Sequence, residues 1–568
     1  MVVNEFNNKL IIVISGQAGQ GVSTVESILT SILKKNGYNV FATKEYMSRI
    51  RGGCNSSEII VSDISINSFC DKIDILFPLD KGYSSHLLKR ISRDTIMIGE
   101  KGNFYPDHEN IIEIDFSSIA RKLGGNIYTN IVIAGLMLGM LDTDISISEE
   151  FIQGFFGKKD NEVIKKNIEA IRSGMAEGIS LKQIKINIEK KEFVKTNLLF
   201  SGTDSIALGA IAGGCNFIAS YPMSPSTGVL TFLSQQSREF GIIAEQAEDE
   251  ISAINMSLGA SYAGARSMVT TSGGGFALMI EGVSLCGMTE TPLVIHIGQR
   301  PGPATGLPTR TEQGDLEMVL YSGHGSFPRI IFAPSTLENG FCITQKAFNL
   351  ADKFQIPVFI LTDQYFLDTY YDIEPDTLDI PDTGNKSCII ESNLDYKRYE
   401  LTINGISPRS VPGYGKGLVV VDSDEHDEIG HLTEDLDIRE EMNRKRISKI
   451  EEIKKAIIPP VLLGDLNRNY VIVSWGSTFN VIAEALKNKE FKDIALMHLI
   501  QVYPLHDSIP EYLKNKTIIL IENNETGQLG RLLKLEFGIN IEKRILKSNG
   551  LPFSKEEIEE NLRIALRS

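Results

Sequence analysis

The feature that most constrains the fold is an alternation that recurs along the whole chain. A short apolar run without polar interruption is followed by a turn, and then by a segment whose apolar residues return at helical spacing. KLIIVISG (Lys9 to Gly16) opens the pattern and reads as a buried parallel strand, since a strand covered on both faces has no polar side to present. Val25, Ile28, Leu29, Ile32 and Leu33 then fall on one helix face until Asn36-Gly37 ends it. YNVFAT follows as a second strand, so the chain opens with a β-α-β unit. The alternation continues to about Ile179 and resumes at NLLFSGTDSIALGAIAGG. It runs on through LVIHIGQR and IPVFILTDQYF, then returns in NYVIVSWGST, DIALMHLIQVYPL and TIILIENNETGQLGRLL. The predicted class is α/β and multidomain, because 568 residues exceed any single core and ~150 residues per domain suggests three or four units.

Composition shifts place the boundaries. Residues 1–180 form the first α/β domain, and the lysine-rich LKQIKINIEKKEFVKTN reads as a linker over 181–197. A second α/β domain spans 198–365. Acidic, turn-rich sequence over 366–460 reads as a crossover and surface region, and a third α/β domain spans 461–568. No short-period repeat points to a solenoid.

A net charge of −16 without a Lys/Arg stripe argues against nucleic acid and against an anionic membrane surface. The six cysteines lie far apart and form no CxxC, so no zinc or iron-sulfur cage is expected in this chain, and scattered thiols of this kind read as buried. The N-terminus lacks a basic segment ahead of a long apolar core, and no apolar run reaches the ~20 residues that span a bilayer. The expectation is a cytoplasmic protein. DEHDEIGH offers His426 and His431 without the HExxH spacing, and reads as a solvated acidic turn.

GQAGQGVST places Gly16, Gly19 and Gly21 between a strand and a helix. Free N–H groups there suit an anion, but close packing requires glycine equally well. Val22 stands where a Walker loop needs lysine. Downstream, Arg49, Arg51 and the pair Gly52-Gly53 make a basic turn that fits an interface or a phosphate.

Three loops of the second domain carry more chemistry. The first is YPMSPST, in which Pro222 and Pro225 hold Ser224 in a restricted geometry and Ser226 or Thr227 is expected to cap the next helix. The second, AEQAEDEISAINMSLGASYAGARSMVTTSGGGF, has Glu245, Glu248, Asp249 and Glu250 crowding the first turn of a helix whose apolar face is Ile251, Ile254 and Leu258. Gly259, Ala260, Ala263 and Gly264 permit a close neighbour. In the third, HIGQRPGPATGLPTRTEQGDLE, Arg300 stands at the mouth of a strand, where a guanidinium can grip a carboxylate or form a surface salt bridge.

Together YPMSPST, EDEISAINMSLGASYAGAR, TTSGGGF, GQRPGPATGLPTRTEQGDL and ENNETGQLGRL resemble the alpha subunit of 2-oxoacid:ferredoxin oxidoreductases. GQAGQGV…SRIRGG resembles their gamma subunit, here fused ahead of alpha. The resemblance implies a gamma-type domain, a thiamine-diphosphate pyrimidine-binding domain and a transketolase C-terminal-like domain. It also implies oxidative decarboxylation of a 2-oxoacid, 2-oxoglutarate or pyruvate, to acyl-CoA and CO2 with reduction of ferredoxin. Indolepyruvate and branched-chain oxoacid oxidoreductases, or a non-catalytic assembly subunit, are the alternatives.

Carried over residue by residue, Glu250 matches the glutamate at the cofactor's aminopyrimidine, where a carboxyl group favours the tautomer that removes the thiazolium proton. Gly273, Gly274 and Gly275 match the loop beside the pyrimidine, with Gly274 where relatives often carry proline. Ser224 takes the place of a threonine facing the substrate, with Tyr221 and Pro222 beside it. Arg300 matches the arginine that binds the 2-oxoacid carboxylate, and Thr309 a residue linked to substrate choice. No GDG segment occurs, and LGDLNRN lacks the second glycine. The resemblance therefore implies a beta subunit carrying Mg2+, the diphosphate contacts and a [4Fe-4S] cluster. Further implied are coenzyme A as co-substrate, ferredoxin as partner and a dimer of heterodimers.

Overall fold

The computed structural model describes residues 4–47, 53–378 and 388–567. They divide into two compact units. One runs through Ser201 and adds Asp368–Thr377, and the other comprises Gly202–Leu367 and the chain from Leu378 onward.

In the first unit, eight described strands form a mixed sheet. Lys9–Gln17 runs parallel to Ile75–Pro78 on one side and antiparallel to Cys54–Ser62 on the other. Cys54–Ser62 also separates it from Asn39–Glu45, so the two strands of the opening β-α-β unit are not neighbours. The expectation of a parallel strand therefore holds on one side only. Cover on both faces removed the polar alternation: Leu10, Ile12 and Ile14 join one apolar cluster, and Val13 another.

The segment 181–197, expected as a linker, is built into this unit. Ile184–Asn187 pairs in parallel with Asn4–Asn7, and Leu198–Ser201 pairs with Tyr370–Ile373 from the segment expected as a crossover. The period-two signal was present in Ile184, Ile186 and Ile188 but lay among lysines. Two helices, Thr129–Met140 and Asn161–Ser180, meet through Gly135, Gly139, Gly174 and Gly178, where any added methyl would overlap the other helix's backbone.

In the second unit, seven described strands lie in the order Ile243–Gln246, Phe217–Ser220, Ser267–Thr271, Leu293–Gln299, Pro357–Asp363, Ile330–Phe332, Gln501–Tyr503. All pair in parallel except the last. A five-stranded sheet is built from residues after 460, and its Val471, Val473 and Trp475 share a core with Ile295, Ile331 and Phe359. Between them, residues 388–435 are mostly irregular and lead into the helix Leu436–Lys454, capped by Asp435.

That helix is anchored by a buried ion cluster in which Lys445 and Lys449 reach Glu290. Burial pushes Lys449 down to about 8, while Lys449 and Lys445 outweigh the burial of Glu290 and hold its carboxyl far below the usual range. In the acidic turn, Glu425 pairs with Arg439 and Arg446, and the His426 ring packs 3.9 Å from that of Tyr399. Among the described residues, no group of His, Cys, Asp and Glu is arranged to hold a metal ion, and no single helix is long and apolar enough to cross a membrane. Four cysteines are buried, Cys342 is half-buried and Cys388 exposed.

Candidate active site

From Phe217–Ser220 the chain crosses to Ile243–Gln246 on one side and then returns to Ser267–Thr271 on the other. A reversal of this kind opens a crevice at the carboxyl ends of the strands. Ser220 ties the two central mouths by donating to the carbonyl of Thr270. Residues 221–226 begin here, with Tyr221 exposed and Pro222 and Ser224 half-buried. The expected cap does not form. Ser226 has helical backbone angles, and its hydroxyl bends back to the Met223 carbonyl at 2.8 Å, leaving Thr227–Gln235 without a side-chain cap.

The second loop is also simpler than expected. Of the four carboxylates only Glu250 lies in the helix Glu250–Tyr262; Asp249 caps it by accepting from Ser252 N at 2.7 Å. Glu245 sits in an edge strand and Glu248 in the turn, both exposed, and Ile251 is exposed rather than on the apolar face. That face is Ala253, Ile254 and Leu258, approached by the next helix through Gly282; Gly259 meets nothing.

Glu250 is only 4% exposed, and its Oε1 has no hydrogen-bond partner. A buried acceptor left unpaired costs ~1–3 kcal/mol, more when charged, and asks for an explanation. Its neighbour is the triglycine turn. A methyl on Gly275 would stand 2.5 Å from Glu250 Oε1 and strike Thr271 Oγ1; one on Gly273 would strike the carboxylate of Asp315. Gly274 faces the carbonyl of Ala304 and is exposed. Behind the turn, Phe276 is fully buried edge-on against Phe359.

Arg300 follows the strand Leu293–Gln299. Its Nη1 donates to the Ser224 carbonyl at 2.6 Å, and its Nε is buried without a partner. Burial lowers its pKa, against the charge of Asp315. Thr309 is buried in the loop that follows.

Residues 313–317 are held by the motif ENNETGQLGRL. Gln313 N donates to the Asn523 carbonyl at 2.8 Å and Asn523 N to Gln313 Oε1 at 2.9 Å. Gln528 donates to the Gly314 carbonyl at 2.8 Å and accepts from Glu317 N at 3.0 Å. Asp315, which these bonds position, was missed in the sequence because an aspartate ahead of a helix reads as an ordinary cap.

The structure thus brings Ser224 to Arg300, and Glu250 to the triglycine turn with Asp315 on its other side. Such a crevice offers a guanidinium for an anion and an unpaired carboxyl for a nitrogen donor. Tyr221 and Pro222 share the Ser224 loop, and Thr309 shares the Arg300 loop.

The glycine-rich loop of the first unit is arranged differently. Gly21 starts the helix Val22–Lys35 with φ +77°, where a side chain would strike Asn130. Arg49, Arg51 and Gly52 lie outside the described residues.

Comparison with known proteins bears on both units. The family described as pyruvate flavodoxin/ferredoxin oxidoreductase, thiamine diP-bdg, matches residues 208–445, and that described as pyruvate ferredoxin/flavodoxin oxidoreductase matches 11–177. Subunit alpha of 2-oxoacid:ferredoxin oxidoreductase 2 from Aeropyrum pernix is 34% identical over 74% of this chain and 69% of its own length. The chain belongs to the 2-oxoacid:ferredoxin oxidoreductase alpha subunits.

The Sulfolobus sp. alpha subunit is 29% identical over 97% of this chain and 96% of its own. The solved 2-oxoglutarate:ferredoxin oxidoreductase of Magnetococcus marinus, with 2-oxoglutarate, coenzyme A and succinyl-CoA bound, superposes with a TM-score of 0.89. Its identity is 28%, over 99% of this chain and 100% of that one. This alpha subunit is therefore an enzyme subunit of the class that oxidatively decarboxylates a 2-oxoacid and reduces ferredoxin. Its multidomain α/β architecture is that of the family.

Proposed function

We propose that this alpha subunit forms, with a beta subunit, a thiamine-diphosphate enzyme that converts 2-oxoglutarate or pyruvate and coenzyme A to acyl-CoA and CO2. The observation that carries the reading is the unpartnered Glu250 Oε1 against Gly275. A buried carboxyl oxygen without a donor, beside a turn where neither Gly273 nor Gly275 leaves room for a side chain, suits a flat nitrogen heterocycle offering N–H groups. The residues present fit the aminopyrimidine: Glu250 would hold its ring nitrogen, and Gly273, Gly274 and Gly275 would leave room for the ring. When bound, the cofactor supplies the carbon nucleophile and electron sink for decarboxylation.

The chain's own residues do the rest. Glu250 holds or releases a proton at its Oε1 in a site shielded from water. Arg300 receives the substrate carboxylate, and its bond to the Ser224 carbonyl fixes the guanidinium for that task. The Ser224 hydroxyl meets the oxoacid, with Tyr221 and Pro222 forming the loop that holds it; Thr309 contributes to choosing the acid. Mg2+ and the [4Fe-4S] cluster belong to the beta subunit, ferredoxin takes the electrons, and the assembly is a dimer of heterodimers. Three α/β domains, of gamma type, pyrimidine-binding type and transketolase C-terminal type, compose the chain.

The bound 2-oxoglutarate, coenzyme A and succinyl-CoA of the Magnetococcus marinus enzyme support an oxoacid and coenzyme A as substrates. The test is reconstitution with the beta subunit and a substrate panel of pyruvate, 2-oxoglutarate, indolepyruvate and branched-chain oxoacids. Coenzyme A-dependent viologen reduction with the first two is expected. Thiamine diphosphate binding that survives Glu250→Ala with Arg300→Ala unchanged would overturn the reading.

A further inference from the structure

Asp315 occupies the position of a helix cap and does not act as one. It precedes Leu316–Leu320, yet its side chain makes no cap hydrogen bond. Its Oδ2 is buried without a partner, and the carboxylate lies where a methyl on Gly273 would be. Its own N–H donates to Gln299 Oε1 at 3.0 Å, the residue preceding Arg300. Arg300 carries a matching vacancy in its buried, unpartnered Nε. A cation and an anion, each with an unsatisfied buried atom, thus stand at the mouth of one strand.

We propose that Asp315 is a positioning residue that competes with the 2-oxoacid's carboxylate for the guanidinium of Arg300, so that its ionisation weakens substrate binding. This rests on the reading of Arg300 as the substrate's anchor. The groups around Asp315 are few. Arg300 at the strand end acts on it through charge without an ion pair between them, Glu312 lies on its own loop, Glu317 follows in its own helix and is paired with Arg531, and Glu250 lies across the triglycine turn. From the C-terminal side Gln528 and Asn524 are neutral, Glu525 acts on Glu312, and Glu522 is turned to the Trp475 indole. Burial first, and then Glu312, raise the Asp315 carboxyl to about 7 while Arg300 opposes them. Below that pH the carboxyl is neutral and Arg300 gives its full charge to the substrate. Above it the ionised carboxylate competes, and affinity falls by up to about tenfold per pH unit.

The experiment uses the complex with the beta subunit. The 2-oxoacid is titrated calorimetrically into complex assembled without thiamine diphosphate, from about pH 6 to about pH 8.5, and KM and kcat are followed over the same range in loaded enzyme. Wild-type affinity is expected to fall about tenfold, with KM carrying the change. In Asp315→Asn, and in Asp315→Ser should the first variant fold poorly, the affinity is expected to be flat and to match the wild type's acid limit. A flat wild-type profile, or a variant that keeps the wild-type slope, overturns the proposal. Arg300→Gln separates the two readings: weakened binding keeps Arg300 as anchor whatever Asp315 does, whereas wild-type binding removes the anchor itself.

Discussion

Gly135, Gly139, Gly174 and Gly178 in the first unit, and Gly273 and Gly275 in the second, all stand where a methyl group would overlap a neighbour. What they face differs. The first four meet backbone of a packed helix, all of it within satisfied helical hydrogen bonding. The other two meet the carboxylates of Asp315 and Glu250, each with an oxygen that lacks a donor. Close approach alone therefore does not mark a site. Close approach to an unsatisfied polar atom is what makes a position a candidate, because a bound group there would complete it.

Glu250→Ala is the sharpest way to break this contrast. In reconstituted enzyme, turnover is expected to fall about a thousandfold, within the range for a general acid or base. Thermal unfolding should show no loss of stability, since an unpaired buried carboxyl is removed. A melting temperature lowered by many degrees with activity retained would place Glu250 among packing residues. Gly139→Leu should do the reverse and destabilise the chain by ~3 kcal/mol through overpacking. Chemical denaturation reads this directly, and an unchanged midpoint would show that the helices do not meet there.

How much of this was legible beforehand follows from the same physics. The strand ends were, because unbroken apolar runs stop where the sheet stops, and so Ser224 and Arg300 could be placed at strand mouths. By charge Glu250 was not separable from Glu245, Glu248 and Asp249, and the family resemblance alone singled it out; the burial that sets it apart in the structure depends on Gly275 arriving from elsewhere. Asp315 was hidden because local sequence offers a cap and only the fold withholds it. The strand Ile184–Asn187 was hidden because half-buried strands carry polar residues on one face, and lysines there read as linker.

Arg300→Lys probes the remaining polar contact at smaller amplitude. Lysine keeps the charge but cannot hold the Ser224 carbonyl with one nitrogen while presenting a second to the substrate. KM for the 2-oxoacid is expected to rise about tenfold, roughly 1.4 kcal/mol, with kcat less affected. A kcat effect without a KM effect would move Arg300 from binding the ground state to acting only in the transition state.

The smallest expected effect tests how far the site's support reaches. Gln528 begins the helix Gln528–Phe537, far from Glu250 in sequence, and reaches the site through its bonds to Gly314 and Glu317. Gln528→Ala removes both, and two hydrogen bonds at ~0.5–1.5 kcal/mol each predict a loss of ~1–3 kcal/mol in stability. If the motif only joins two domains, catalysis should be untouched at temperatures where the variant is folded. If it also positions Asp315, KM for the 2-oxoacid should move by about two- to threefold, with a flatter pH dependence than the wild type's. The second outcome is expected, because Gly314 directly precedes the aspartate, and a loop freed there lets its carboxylate turn outward to water.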